Sequence, residues 1–257
     1  MTTIRYHFGD CRELLKEQEA GSIQTAVTSP PYGLGKAYGK YEDIQNLERW
    51  TTLINETLKE ANRVLTSNGS FFLNVSPIPH GKNKEIIPLD HITYDIAKKN
   101  GFFLRNKIIW HFNNMQNCVN RLSGRWEAIL WLVKDINNYV FNLDKIRVPY
   151  ITKNDKRLTG VGRNPTDVWY FDRVNNMTKQ KLKIDHPCVY PLSMIERIIL
   201  MSTHKGDWVL DPFLGSGTTL VACKRLGRNG IGFEIDEKWK SVIERRLKNE
   251  GIVLTIC

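Results

Sequence analysis

Apolar positions recur along this chain in two rhythms. From Leu47 onward, Trp50, Leu53, Ile54, Thr57, Leu58, Ala61, Val64 and Leu65 return at steps of three and four, the spacing of one helix face, and Asn68-Gly69 supplies a stop. Shorter β-branched and aromatic runs read as strands at Tyr6-His7-Phe8 and at residues 22–27, 70–75, 102–110, 125–133, 208–211 and 230–235. Further helices are predicted at 12–19, with Asp10 as N-cap and Gly21 as its end, at 87–100, at 192–201 and at 218–226, where Gly227 closes the run. Strands alternating with helices predict an α/β fold, a doubly wound and mostly parallel sheet. Between residues 141 and 184 the periodicity fades. We therefore expect one domain in two halves, 1–140 and 185–257, with 141–184 as an insertion.

Composition narrows the class. With 257 residues and 41% hydrophobic content the chain can bury one substantial core. Its net charge of +10 favours a polyanionic partner, and since no basic amphipathic helix stands out, nucleic acid is expected rather than a membrane surface. No apolar run is long enough to cross a bilayer, and the first residues lack the apolar core of a secretory signal, so a cytoplasmic protein is expected. Cys11, Cys118, Cys188, Cys223 and Cys257 are scattered without a C-x-x-C pair, which argues against a disulfide framework and against a metal site.

The charge gathers in three places. Residues 33–41 combine glycines, tyrosines and Lys36 and Lys40, as a lid over a phosphate-bearing ligand would, or as a plain surface loop would. Residues 111–124 are crowded with amides and end at Arg125; here Asn117, Arg121 and Arg125 are candidates to read base edges and grip phosphates, or the segment is simply turns. The insertion carries ten Lys and Arg residues, Arg157 and Arg163 among them, with Trp169, Tyr170 and Phe171 interleaved, a pattern that fits a nucleic-acid surface better than a core.

Two corners carry the candidate chemistry. The first is Thr28-Ser29-Pro30-Pro31-Tyr32, at the end of a strand. Each proline fixes its own φ and restrains the residue before it, so Ser29 and Pro30 are held out of helical geometry in a rigid arch rich in acceptors. Tyr32 closes the arch with an aromatic face. Such a pocket suits a flat ring bearing an NH2 group, since stacking on an aromatic side chain contributes roughly 1–3 kcal/mol per base. Ordinary proline punctuation is the competing explanation.

The second corner is Asp211-Pro212-Phe213-Leu214-Gly215-Ser216-Gly217-Thr218-Thr219, a strand end, a glycine turn and a helix start, the usual nucleotide-cofactor entry of an α/β sheet. Thr218 stands where a phosphate-binding P-loop needs lysine, and the third glycine of the dinucleotide fingerprint is missing, with Leu220 in its place. A cofactor without phosphate is therefore expected. Glu234 and Asp236, ending the next strand, are placed to accept two ribose hydroxyls, which S-adenosylmethionine has.

Phe213-x-Gly215-x-Gly217 after Asp211-Pro212, taken with Ser29-Pro30-Pro31-Tyr32, resembles the cofactor and catalytic motifs of the DNA amino-methyltransferases over nearly the whole chain. Because the catalytic corner precedes the cofactor turn, with the basic insertion between them, the order resembles the beta class. The resemblance implies a Rossmann-like methyltransferase sheet and S-adenosylmethionine as methyl donor. It implies Ser29, Pro30, Pro31 and Tyr32 as the catalytic corner, and Asp211, Pro212, Phe213, Gly215, Gly217, Thr218 and Thr219 as the cofactor turn. Asp10, with Cys11 beside it, matches the acidic position near the cofactor adenine, Glu234 the ribose ligand, and His186-Pro187 the start of the helix at the methionine end. Asn164-Pro165-x-Asp167-Val168-Trp169 resembles a segment late in the class's recognition region, which makes 141–184 the expected target-recognition region on double-stranded DNA. Serine before Pro-Pro-Tyr is associated in this family mainly with N4 of cytosine, extruded from the helix. N6 of adenine and a catalytically inert DNA-binding subunit are the alternatives; a dinucleotide-dependent dehydrogenase lacks its fingerprint. A restriction-modification setting, a homodimer and a cognate endonuclease are the implied partners.

Overall fold

The computed structural model describes residues 2–32, 37–38, 41–42, 46–113, 117–150, 161–184, 186 and 188–249. The chain opens with β1 (Ile4–Phe8), α1 (Cys11–Lys16) and β2 (Ile23–Thr28), followed by a small antiparallel hairpin of β3 (Ala37–Tyr38) and β4 (Tyr41–Glu42). Next come α2 (Leu47–Val64) and β5 (Leu65–Val75), a second hairpin of β6 (Ile78–His80) and β7 (Glu85–Ile87), then α3 (Leu89–Lys99). β8 (Phe103–His111) and β9 (Trp126–Val133) form an antiparallel pair, and β10 (Val168–Tyr170) and α4 (Asn176–Leu182) lie in the following segment. The chain ends through α5 (Leu192–Ser202), β11 (Trp208–Asp211), α6 (Thr218–Leu226), β12 (Asn229–Glu234) and α7 (Lys240–Asn249).

Eight strands form one sheet in the order β1-β12-β11-β2-β5-β9-β8-β10. Five of its pairings are parallel, and only β5 with β9 and β9 with β8 run antiparallel. The expected doubly wound, Rossmann-like sheet is what forms. Its central strands alternate side chains between two cores, the consequence of the period of two in extended chain. Phe71, Leu73, Leu130, Leu132 and Leu210 face one core, under α1, α2 and α3. Phe72, Ile129, Trp131, Val133 and Val209 face the other, under α5, α6 and α7. A sheet covered on both faces needs apolar residues at consecutive positions, which is why residues 71–73 of β5 and 128–133 of β9 are continuously apolar.

Element ends differ from expectation where pairing overrides local signals. α2 stops at Val64 and β5 starts at once, with Leu65 paired to Ile23, so Asn68 and Gly69 lie inside a strand rather than at a helix end. α1 ends at Lys16, three residues earlier than expected, while Asp10 caps it as expected by accepting from the Arg12 amide. The 141–184 segment adds β10 to the sheet edge, parallel to β8. Trp169, expected on a nucleic-acid surface, is instead only 4% exposed, with Ile146 and Ile184 in the same hydrophobic cluster. Its indole donates to the Thr166 carbonyl, and the Arg197 guanidinium lies over its ring.

From β2 the chain winds towards β5, and from β11 it winds the other way, towards β12. Two adjacent strands whose connections diverge leave a crevice beyond their carboxyl ends, the preferred ligand site of such sheets. The two corners singled out in the sequence follow these two strands.

Candidate active site

β2 and β11 are neighbours, with Val209 beside Thr25 and Leu210 beside Ala26. One step further, Thr28 Oγ1 donates to Asp211 Oδ1 at 2.6 Å. The Asp211 carboxylate also accepts from Thr219 Oγ1 (2.5 Å), the Tyr190 hydroxyl (2.9 Å) and the Phe213 amide (3.2 Å). Burial pushes its pKa up, and these donors act in the opposite direction. Asp211 therefore ties both corners to the floor of a single cavity of about 1200 Å³.

On the β11 side the wall is backbone. Gly215 and Gly217 have φ of +54° and +81°, values that favour glycine, and the intervening turn leads straight into α6. The Glu234 carboxylate accepts from the Gly215 amide (2.8 Å) and the Asp236 amide (3.0 Å), and burial raises its pKa. His186 lies over Gly215 so closely that a Cβ there would come within 3.0 Å of Nε2. Its ring meets Trp239 edge-on at 4.5 Å, and burial lowers its pKa to about 4, which makes it a neutral imidazole. Asp10 lines the same end, its pKa held low by the Arg12 guanidinium at 2.6 Å.

On the β2 side the wall is polar and aromatic. Trp50 Nε1 donates to the Pro31 carbonyl at 2.7 Å and pins the double-proline corner to α2. The Tyr32 hydroxyl lies 2.9 Å from Ser29 Oγ and donates to Glu127 Oε2, also at 2.9 Å. Asn74 Nδ2 donates to the same Glu127 oxygen at 2.6 Å and to the Tyr32 hydroxyl at 2.9 Å. Burial, then the charge of Glu127, lifts the Tyr32 phenol well above its ordinary pKa. The Arg173 guanidinium lies 3.6 Å from Glu127 Oε1 and over the Phe112 ring.

Asn74 and Glu127 were not among the candidates read from the sequence. Both sit inside apolar strand runs, and the only signal was a polar residue breaking each run. The antiparallel register of β5 and β9 brings them together, since Val75 pairs with Ala128 and Asn74 with Ile129.

Of the sequence candidates, Ser29, Pro30, Pro31, Tyr32, Asp10, Cys11, His186, Pro212, Phe213, Gly215, Thr218 and Glu234 line this cavity. The Cys11 thiol is buried 3.8 Å from Thr57 Oγ1, and burial pushes its pKa up to about 12. Asp211, Gly217 and Thr219 stand behind the wall rather than on it. Arg121 is on the rim, Asn117 and Arg125 meet at the base of the same loop, and Arg163 pairs by backbone with Val148 away from the cavity. Lys36, Lys40, Arg157 and Pro187 lie outside the described residues. No metal-holding cluster occurs among the described residues, nor any helix long and apolar enough to cross a membrane.

A family model for N6/N4 DNA methylases matches residues 23–245. The chain belongs to the DNA methylase family. This methylase is 32% identical over 256 residues to the type II methyltransferase M.ScaI of Streptomyces caespitosus, a match covering 96% of this chain and 82% of that one. It is 30% identical over 250 residues to the DNA adenine methyltransferase YhdJ of Escherichia coli K12, covering 93% and 81%. Its fold matches that of TTHA0409, a putative DNA modification methylase of Thermus thermophilus solved in complex with S-adenosyl-L-methionine, with a TM-score of 0.71, 25% identity and coverage of 99% and 97%.

The methyl donor of the methylase is S-adenosylmethionine, and the β11 side of the cavity fits it. Glu234 would offer carboxylate oxygens to ribose hydroxyls and would repel a phosphate. Phe213 and Ile235 supply apolar surface for a flat ring, and the turn at Gly215 lets a ligand approach the backbone closely.

Proposed function

We propose that this DNA methyltransferase modifies the exocyclic N4 amine of a cytosine extruded from double-stranded DNA. The observation that carries the reading is that Ser29, Tyr32 and the buried Glu127 share one cavity with the Gly215 turn and Glu234. The amine of a paired base is inaccessible inside the stack, so the base must swing out at a cost of a few kcal/mol. Tyr32 then receives it by stacking. The Ser29 hydroxyl and the Pro30 carbonyl accept the amine hydrogens and turn its lone pair out of conjugation, towards the donor side. When bound, S-adenosylmethionine supplies an electrophilic methyl group on a sulfonium centre.

Alkylation makes the amine transiently cationic and therefore acidic. Ser29 is neutral, and the carboxylate closest to it in the hydrogen-bond network is Glu127, reached through the Tyr32 hydroxyl and the Asn74 amide. Glu127 stabilises that developing charge and is the final proton acceptor: Ser29 takes the amine proton as it passes its own to the Tyr32 hydroxyl, and Tyr32 passes its own to Glu127. Asp10 and Glu234 hold the adenosine end, and His186, neutral and packed on Gly215, shapes the methionine end without adding charge beside a sulfonium.

Serine at position 29 favours cytosine. N6 of adenine is the second reading, supported by the likeness to a methyltransferase named for adenine. Residues 141–184 are proposed as the target-recognition region, with Arg121, Arg125 and Arg163, and with Lys36, Lys40 and Arg157, on phosphates or base edges. Pairing with an endonuclease in a restriction-modification system, and a homodimer, complete the proposal, the former in line with the type II relative.

The test that separates an enzyme from an inert DNA-binding subunit joins two readouts. S-adenosylmethionine should raise the thermal midpoint of the purified protein, and a labelled methyl group should pass from it into duplex DNA. Stabilisation without transfer to any DNA would leave a binding subunit.

A further inference from the structure

The rim of the cavity carries a feature that methyl transfer leaves unused. Between β8 and β9 the Cys118 amide donates to Ser123 Oγ at 3.0 Å and closes a short loop whose tip is residues 119–122. The base of this loop is clamped a second time, by the Phe112 amide on the Arg125 carbonyl at 3.0 Å. All four tip residues are exposed, and two are apolar, Val119 fully and Leu122 at 94%.

Single exposed aliphatic residues are common and carry no message. This pair differs by position. Leu122 belongs to the cavity lining together with Arg121 and Ser123, so the apolar tip stands at the mouth through which a base would enter, with Arg121 next to Leu122 and the Arg125 guanidinium at the base of the loop on Asn117. A base that leaves a duplex opens a gap walled by two flat apolar ring faces. An aliphatic side chain on a clamped loop fills that gap, as wedge residues do in proteins that unstack DNA, while adjacent cations hold the phosphates on either side.

We propose that the 119–122 tip is a wedge, with Leu122 entering the base stack at the position vacated by the target. The proposal rests on the reading above, in which the target base is extruded. It predicts that the loop matters most where the target base is costly to extrude.

The experiment compares the unsubstituted enzyme with a Val119→Ser, Leu122→Ser variant in single-turnover methyl transfer. Two duplexes carry the sequence that the unsubstituted enzyme modifies, one fully paired and one with the target base opposite an abasic position. Both substituted side chains face solvent, so thermal stabilisation by S-adenosylmethionine should be unchanged and serves as the folding control. The expected result is a loss of about tenfold or more on the paired duplex and of less than about threefold on the abasic one, where the unpaired target leaves the helix at lower cost. Equal rates for variant and parent on the paired duplex would overturn the wedge, and so would an equal loss on both duplexes, which would assign the tip to phosphate contact or loop order. If the unsubstituted protein modified neither duplex, the methyl-transfer reading itself would fall, and the wedge with it.

Discussion

Thr28 Oγ1 donates to Asp211 Oδ1 across 2.6 Å, joining residues 183 positions apart in the chain at the carboxyl ends of two adjacent strands. The contact fixes the distance between the proline corner and the glycine turn, and hence between the two ligands the cavity is built to hold. A buried carboxylate tolerates its burial only while its donors are in place.

Thr28→Val keeps the shape and removes one of these donors. Loss of a hydrogen bond to a charged group costs roughly 1.5–3 kcal/mol, so the denaturant midpoint should fall by a corresponding amount, with weaker S-adenosylmethionine binding. An unchanged midpoint would remove Asp211 as the tie between the corners.

Ser29→Ala and Glu127→Gln test the base side. Ser29→Ala should lower methyl transfer at least about tenfold while leaving cofactor affinity nearly unchanged, because the contacts of the Ser29 hydroxyl, to Tyr32, to Asn74 and to the amine, all lie on the base side. Glu127→Gln keeps an acceptor for the Tyr32 hydroxyl and removes the charge, so it should also lower turnover by about tenfold or more with little effect on substrate affinity. Full turnover in the second variant would reduce Glu127 to a structural partner of Asn74 and Tyr32.

The two corners and the strand runs of β2, β5 and β9 are legible in the sequence, because double prolines, glycine pairs and clustered β-branched and aromatic residues are local signals with local causes. Glu127 and Asn74 are not. Their meeting depends on the register of two antiparallel strands 53 positions apart, which no local pattern encodes. Trp169 reads as surface because its strand has three residues and gains its burial from docking beside β8. The end of α2 is misplaced for a related reason, since pairing of Leu65 with Ile23 outweighs the turn preference of Asn68-Gly69.

Gly215→Ala tests the cofactor side. The substitution places a Cβ at φ +54° and 3.0 Å from His186 Nε2, so the turn must shift or the imidazole must leave. S-adenosylmethionine affinity should fall by about tenfold or more, equivalent to about 1.4 kcal/mol, measured by titration calorimetry. Unaltered affinity would show that the turn has slack.

Stability should depend on pH through His186. An unfolded histidine titrates near 6.5 and this one at about 4, so as pH falls the unfolded chain takes up the proton first. The contribution is complete above about pH 6.5 and is lost progressively down to pH 4, worth roughly 3 kcal/mol over the window. Asp10, whose pKa the Arg12 guanidinium lowers, is lost only as pH falls further, through the carboxylate range. Stability of the parent should therefore decline steeply between pH 6.5 and 4.5, and His186→Gln should flatten that decline; parallel curves would contradict the assignment.

The identity of the modified base decides the account most directly. Duplex DNA incubated with the enzyme and S-adenosylmethionine, digested to nucleosides and resolved by mass spectrometry, should yield N4-methyldeoxycytidine. Methyl label found only as N6-methyldeoxyadenosine would contradict the role given to Ser29 in selecting the base.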